Sequence, residues 1–337
     1  MAIPHLTFDL LFQLRNIKNI YENNISKKAT RGIDKIGIKT FNRNKNHHLK
    51  LIYNKCKNGT YKFSPYVQKL QVKGKNKTRE ISVPTIRDRI VLSLLKDFLH
   101  EIYPECINRR LPNNYIREIK EFFESNESKH FCYLKIDIKS FYDNIDHEIL
   151  FKMLKERIKS NRILDLLRRS IKTPTVPINY KKHDKTEYKR RFGIAQGLSI
   201  SNILANIYLK DIDDKLMNHG LRYFRYVDDI LIFLEDIKSS EFISAILIEE
   251  LNKYKLEIND KKTECNLTDC SFDYLGYKVS LPKISIKDAN VERFITSLAA
   301  KFSSYIHNSE SQLKKYTWLT KDIRKQVFIE DQCCPVN

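Results

Sequence analysis

Two carboxylates stand side by side in "RYVDDILIF", residues 225–233, within the most strand-like run of the chain. Unpaired charge is costly to bury, so Asp228 and Asp229 call for a turn or a partner. An Asp-Asp pair at a hairpin tip meets solvent and can bind a hard cation. Mg²⁺ takes octahedral oxygen ligands and keeps waters and substrate phosphates in its shell, so one pair rarely suffices. A third carboxylate, Asp137, ends the run "YLKIDI" (133–138). A strand ending in Asp beside a hairpin tipped with Asp-Asp would give three carboxylates able to hold two Mg²⁺ about 4 Å apart, an arrangement suited to in-line phosphoryl displacement. Each piece also has a plainer reading. Asp137 could cap a helix or occupy a surface turn, and the pair could be a turn and nothing more, because Asp favours turns.

The apolar arms Tyr223–Val227 and Ile230–Leu234 predict a hairpin around the pair. "FCYLKIDI" (131–138) predicts the strand that would carry Asp137. Helices are expected over 5–30, 45–57, about 147–171, 198–217 and 239–255, with further helices over 288–330. Another begins after Pro84, where Ile86, Ile90, Val91, Leu94, Leu95, Phe98, Leu99 and Ile102 recur at helical spacing. "KLQVKGKNKTREISV" (69–83) reads as a hairpin with a basic turn, and 172–192 as an exposed loop or hairpin. "FDYLGYKVS" and "KISI" read as a second small hairpin. This order is mixed α+β, not a regular βαβ repeat.

Charge is the strongest bulk signal: 61 Lys and Arg against 41 Asp and Glu give +20, which points to a polyanionic partner, most often nucleic acid, or else to a solvated basic surface. Seven scattered cysteines form no CxxC pair, so reduced thiols in a cytoplasmic protein are expected, with neither a disulfide framework nor a zinc site. No apolar run reaches the roughly 20 residues of a membrane span. The start "MAIPHLTFDLLFQL" has no basic leader and carries Asp9 within its apolar run, so no secretory signal and no membrane partner are expected.

Taken together, the blocks are more specific than any one of them. "DIKSFYDNIDH" (137–147), "GIAQGLSISNILANIYLKDID" (193–213), "YVDD" (226–229), "NDKKTE" (259–264) and "YLGY" (274–277) follow one another, with "KTREISVPTIRDRIVLSLL" (77–95) and the weaker "RGID" (31–34) upstream. In this order, over about residues 30–280, they resemble the conserved blocks of the reverse transcriptases. The resemblance implies a right-hand polymerase of α+β class. Its fingers would span 1–130 and 151–192, its palm, an antiparallel sheet with packed helices, 131–150 and 193–287, and its short helical thumb 288–337.

It also implies roles. Asp137 and Asp228 would be the principal ligands of two Mg²⁺, with Mn²⁺ an acceptable substitute, Asp229 the third carboxylate, and the Ile138 carbonyl a further ligand. The metals would activate a primer 3′-hydroxyl and stabilise charge on the transferring phosphate. Tyr142, five residues after Asp137, would sit under the sugar and reject a 2′-hydroxyl; core packing is its alternative, and Phe141 leaves the register open by one. Arg79 would clamp the incoming triphosphate, with Lys73 a second basic contact unless it is only solvated, and Lys262 would reach the β/γ-phosphates. Gln196 and Gly197 would let the backbone approach nucleotide and template. Ser201 and Asn202 follow where many relatives have Ser-Pro, and Asn is a good helix N-cap. Tyr226 and Gly276 would lie by the primer end, with core packing the alternative for Tyr226. Arg87 and Arg89 would lie near template phosphate, Arg89 having a structural ion pair with Asp88 or another acid as its alternative, while His147 reads as structural.

The implied partners are an RNA template, its DNA product and dNTPs, with room for an oligomer or protein partner. The blocks resemble the bacterial, group II intron-like branch. Two elements usual in retron enzymes, Val-Thr-Gly near the thumb and Asn-Ala-x-x-His after the first catalytic block, are not found, which shifts the reading to a defence-associated enzyme working with a structured noncoding RNA. Alternatives are a retron or intron-derived enzyme, a protein-primed or untemplated DNA polymerase drawing on the 18 tyrosines, an RNA-making polymerase, a nucleotide cyclase on a related palm, and a catalytically silent RNA-binding protein.

Overall fold

The structure is a computed structural model and describes residues 7–27, 29–72, 78–126, 131–181, 188, 192–268, 271–280 and 283–307. The chain forms two compact units. One comprises residues 1–108, 137–220 and 244–261, the other 109–136, 221–243 and 262–337.

The first unit is mostly helical. The expected helix over 5–30 is broken into α1 (Phe8–Leu11), α2 (Leu14–Ile20) and a π turn over Tyr21–Ile25. The break falls at Gln13, whose backbone is extended, and the Asn16 side-chain amide donates to the Leu10 carbonyl at 2.8 Å, satisfying an orphan acceptor of α1. Then come α3 (Ile38–Arg43) and α4 (Lys45–Lys57). The hairpin of β1 (Tyr66–Val72) and β2 (Thr78–Val83) forms as expected, antiparallel from Val67↔Val83 to Val72↔Thr78. Its turn, with Lys73, lies outside the described residues.

The helix after Pro84 is α5 (Ile86–Ile102), N-capped by Thr85, whose hydroxyl accepts from the Asp88 amide. Buried residues ring α5, and it packs against α2, α4, α9 and α10, the last two bounded below. Asp88 is buried at its first turn. Burial pushes its carboxyl up, while the Thr85 and Tyr61 hydroxyls and the Ser64 amide, all donating to it, oppose that rise.

In the second unit, α6 (Pro112–Glu124) precedes β3 (Cys132–Asp137), whose last residue belongs to the first unit. Back in the first unit, the helix expected over 147–171 is two. After the short α7 (Phe141–Asn144), α8 (His147–Arg157) and α9 (Asn161–Lys172) are separated where Ile158 and Ser160 turn extended. Ile158 is buried at the break, and the Lys159 ammonium donates to the Glu156 carbonyl at 2.9 Å. β4 (Thr175–Val176) adds parallel to β1, giving the order β2-β1-β4.

Helix α10 (Ser201–Asn218) starts three residues later than expected, because 196–200 form a turn. β5 (Arg222–Tyr226) and β6 (Asp229–Leu234) are the hairpin around the acid pair, followed by α11 (Lys238–Lys253). β7 (Glu264–Leu267), not foreseen, pairs antiparallel with β3 and completes a four-stranded sheet in the order β5-β6-β3-β7.

The second small hairpin is in fact a three-stranded meander of β8 (Phe272–Tyr274), β9 (Tyr277–Ser280) and β10 (Lys283–Ile286). Leu275 and Gly276, both at positive φ, make its first two-residue turn, the pattern of type I′. α12 (Asp288–His307) follows; the helices expected beyond it lie outside the described residues. The core of this unit is aromatic: Tyr115, Tyr133, Phe224, Phe233, Phe272, Tyr274 and Tyr277 gather with Ile116, Ile119, Leu231 and Val279.

Cys56, Cys106 and Cys132 are buried free thiols and Cys265 an exposed one. Burial pushes Cys56 and Cys106 up to about 12 and Cys132 to about 11, far from thiolate reactivity. Among the described residues no helix is long and apolar enough to cross a membrane.

Candidate active site

Tyr226 and Asp229 are the last residue pair of the β5–β6 ladder, so Val227 and Asp228 are its two loop residues. Val227 takes φ 61°, and a positive φ at the first loop position alone is the type II′ pattern, whose twist suits a tight hairpin. A β-branched residue there is strained. The turn is held from within its own unit. The Arg225 guanidinium donates to the Val227 carbonyl at 2.9 Å, and the Tyr115 hydroxyl to the Arg225 carbonyl at 3.1 Å. The Tyr115 and Tyr226 rings meet edge to face, 5.8 Å between centroids.

Farther along β6, Phe233 stacks on Phe122 at 5.6 Å and meets Phe123 edge-on at 4.9 Å. The sequence reading assigned nothing to α6, which supplies Tyr115, Phe122 and Phe123. The stripe Tyr115, Ile116, Ile119, Phe122, Phe123 has helical spacing and was the available signal. Asp228 and Asp229 are half-buried. Tyr274, fully buried, has no hydrogen-bond partner for its hydroxyl among the described residues; burial first, then the negative charge of Asp229, push its pKa upward.

In the first unit, Asp137 is buried and held by Asn259, which that reading also missed although it opens the "NDKKTE" block. The Asn259 amide side chain donates to Asp137 Oδ2 at 3.0 Å and its backbone N–H to the Asp137 carbonyl at 2.8 Å. Ile138 bridges Ile258 beside this pair. Among the described residues, no three Asp, Glu, His or Cys side chains stand together as a ready metal cage.

The two expected nucleotide contacts on β2 and the Gln-Gly turn are brought together. Arg79 Nε donates to Gln196 Oε1, and the Ser82 amide donates to the Gln196 carbonyl at 2.7 Å. Gly197, at φ 96°, lies so close to β2 that a Cβ would stand 2.6 Å from Ile81 Cγ2 and 3.2 Å from the Ser82 carbonyl. The close approach this glycine permits in the structure is therefore to β2.

Tyr142 is buried on α7, and its hydroxyl donates to Asn202 Oδ1 at 2.8 Å. Asn202 is the second residue of α10 and not its N-cap, which is Ile200, so its side chain is free for Tyr142. Ser201 is buried and its hydroxyl donates to the Ala195 carbonyl at 2.6 Å, closing the turn before α10. His147 is structural as expected, its Nε2 2.7 Å from the Gly193 carbonyl.

Arg87 pairs with Asp34 of the "RGID" loop at 3.8 Å. Arg89 does not pair with Asp88. It donates to the carbonyls of Pro84 at 3.2 Å and Thr30 at 2.9 Å, and burial lowers its pKa. Both arginines thus clip the loop carrying Thr30 and Asp34 to the start of α5. Lys262 is exposed on a short 3₁₀ turn in the other unit. The Gly276 carbonyl accepts from the Asn290 side chain at 2.8 Å, tying the β8–β9 turn to α12.

Residues 67–279, more than half of the chain, match the family model "Reverse transcriptase (RNA-dependent DNA polymerase)". The chain is 25% identical over 269 residues to the group II intron-encoded protein LtrA of Lactococcus lactis subsp. cremoris, covering 74% of this chain and 43% of that protein. It is 23% identical over 297 residues to the putative COX1/OXI3 intron 1 protein of Saccharomyces cerevisiae, covering 69% and 34%, and 25% identical over 193 residues to the retron Se72 reverse transcriptase of Salmonella heidelberg, covering 54% and 46%. The chain therefore spans less than half the length of each of these relatives. Telomerase from Candida albicans, solved with a TWJ fragment of telomeric RNA, is similar at a TM-score of 0.52 and 15% identity, over 87% of this chain and 58% of that one. Apo telomerase from Candida tropicalis, truncated from the C-terminal domain, is similar at a TM-score of 0.51 and 16% identity, over 69% and 58%. At such identities the likeness bears on fold, and the fold is the α+β right-hand polymerase. With the ordered blocks inside the matched span, the chain belongs to the reverse transcriptase family.

Proposed function

We propose that the chain is an RNA-directed DNA polymerase that adds dNTPs to a primer 3′-hydroxyl. The observation that carries this reading is the family match over residues 67–279, which contains all three carboxylates, Asp137 closing a strand, Asp228 in a hairpin turn and Asp229 opening the strand after it. Asp137, Asp228, Asp229 and the Ile138 carbonyl are each oxygen donors of the kind Mg²⁺ or Mn²⁺ selects, and such ions leave part of their shell to waters and substrate phosphates. Bound metal would activate the primer hydroxyl and neutralise charge on the transferring phosphate.

The chain's own residues do the positioning. Asn259 orients Asp137, and the aromatic core behind β6 fixes the hairpin. Tyr142 gives the sugar a floor, and Arg79, with Lys73 and Lys262, offers cationic donors to the triphosphate. Gln196 and Gly197, next to β2, border the nucleotide. Arg87, Arg89, Ser201, Asn202, Tyr226 and Gly276 are assigned to the primer and template side. On this reading the fingers are 1–130 and 151–192, the palm 131–150 and 193–287, and the thumb 288–337.

Asp228→Asn, nearly isosteric, should abolish nucleotide incorporation with Mg²⁺ while RNA binding and thermal unfolding stay as in the parent. Undiminished primer extension by that variant would refute the assignment.

The finer reading is a cytoplasmic, defence-associated enzyme working with a structured noncoding RNA, supported by the +20 charge and the reduced cysteines. A retron or intron-derived role is the second reading, favoured by the likeness to LtrA and the Se72 enzyme. Sequencing the RNA and DNA that co-purify with the protein from its native host separates the two: one recurrent folded RNA unlinked to an intron supports the first, and intron or retron RNA the second.

A further inference from the structure

The strongest unexplained contact is the one that ends on Tyr142. Three features bind this residue to the segment 193–202. Its carbonyl accepts from the Ile194 amide at 2.7 Å. Gly193, at φ 75°, fits so closely against it that a Cβ would stand 2.8 Å from the same carbonyl and 2.6 Å from that of Asp143. Its hydroxyl donates to Asn202 Oδ1 at 2.8 Å. The first two fix the backbone of Tyr142. The third reaches the far end of the ring, which is buried and also lies 5.6 Å from the Phe141 ring.

A phenol ring fixed at its backbone alone still turns about two side-chain torsions, and the aromatic torsion is broad. A ring that rejects a 2′-hydroxyl by shape must hold its edge to within a fraction of an ångström, because the group it excludes is one oxygen atom. The α7 loop is itself pinned: Ser140 takes φ 45°, the Asn144 amide side chain donates to the Lys139 carbonyl at 2.9 Å, and the Asp143 amide to the Ser140 carbonyl at 2.9 Å. Asn202 sits in the first turn of α10, a rigid support whose side-chain oxygen needs no rearrangement to accept the bond.

We propose that Asn202 is a positioning residue for sugar discrimination, holding the Tyr142 ring through its hydroxyl so that the site selects deoxy- over ribonucleotides. This rests on the polymerase reading above and adds to it the residue that sets how well the ring discriminates. Two features that would otherwise be incidental then acquire a reason: the gate residue is Tyr and not Phe, and the residue after Ser201 carries an acceptor.

The test is the ratio of kcat/KM for a dNTP to that for the matching rNTP, in primer extension on an RNA template with the full chain. Asn202→Ala should lower the ratio about 3- to 10-fold, the size expected for one neutral hydrogen bond, chiefly by improving KM for the rNTP. Tyr142→Phe should lower it by a similar factor, and the double variant by no more than either single one, because both remove the same bond. Asn202→Asp, which keeps an acceptor at a helix N-terminus that favours a carboxylate, should restore the parental ratio. A general loss of folding would slow both nucleotides together and leave the ratio unmoved. An unchanged ratio in Asn202→Ala, or additive losses in the double variant, overturns the role of Asn202 while leaving the polymerase reading intact. A parent chain that incorporates no dNTP on any primed template overturns both.

Discussion

The two stretches that matter most for the proposed chemistry are held in place with different emphasis. Around Gln196 and Tyr142, order comes from backbone and side-chain hydrogen bonds and from glycines that let main chains touch. Around Asp228 and Asp229, it comes from aromatic rings packed under a two-residue turn. The contrast follows from what each stretch presents. The first stretch also buries Phe141, Ile194, Leu198 and Ile200, and directional bonds then fix which polar groups it turns outward. A hairpin that presents two carboxylates at its tip can hide all its anchoring below the tip, where burial is non-directional and large.

The contrast can be broken from either side. The largest effect should come from the aromatic region. Phe233→Ala removes a ring in contact with Phe122 and Phe123 and should destabilise by about 3–5 kcal/mol, with hydrogen exchange rising first in β5 and β6. Protection lost equally in α5 would show that the two stretches are not separately supported. Next is Gly193→Ala, which sets a Cβ against two main-chain carbonyls at an unfavourable φ and should cost about 2–3 kcal/mol in urea unfolding. A neutral result would mean that the close approach is not needed.

A smaller effect should appear with pH, in the first unit. His48 of α4 stacks on Phe41 at 4.5 Å with its Nδ1 unpartnered among the described residues. Burial first, then the positive Arg87 and His47, lower its pKa, while Asp34 partly opposes them. The neutral form is therefore favoured in the folded chain, so stability is fully present above the unfolded value of about 6.5 and declines as pH falls from there toward the lowered folded value. His48→Gln should flatten the urea midpoint between pH 7 and 5.5; a slope retained in full assigns it to another group. Smallest is Val227→Gly, which relieves a β-branched residue at φ 61° but loosens the unfolded chain, for a net gain of within about 1 kcal/mol by thermal melt.

Much of this was legible before the structure. The acid hairpin, the β1–β2 hairpin and α5 follow from alternation and helical period, signals that lie within one element. What the sequence hid was mostly long-range. β7 is short and wholly exposed, and becomes a strand because β3 offers it an edge. Asn202 looks like a cap until Tyr142 is seen to claim its side chain. Arg89 beside Asp88 suggests an ion pair, but on a helix successive residues point to different sides, and each finds a partner elsewhere. α6 is a different case, since its apolar stripe was there to be read.

The junction of β2 with the Gln-Gly turn bears on how the chain avoids its neighbours. β2 is the outer strand of its sheet, and an open outer strand invites another chain to pair with it. At Ser82 that invitation is withdrawn, because the outward amide already donates to the Gln196 carbonyl. What remains of the edge is Thr78, Arg79 and Glu80, exposed and carrying both signs of charge, a poor template for strand addition. The bond that seats the Gln-Gly turn is therefore also a guard against aggregation, and a variant that frees the Ser82 amide should be watched for precipitation as well as for lost activity.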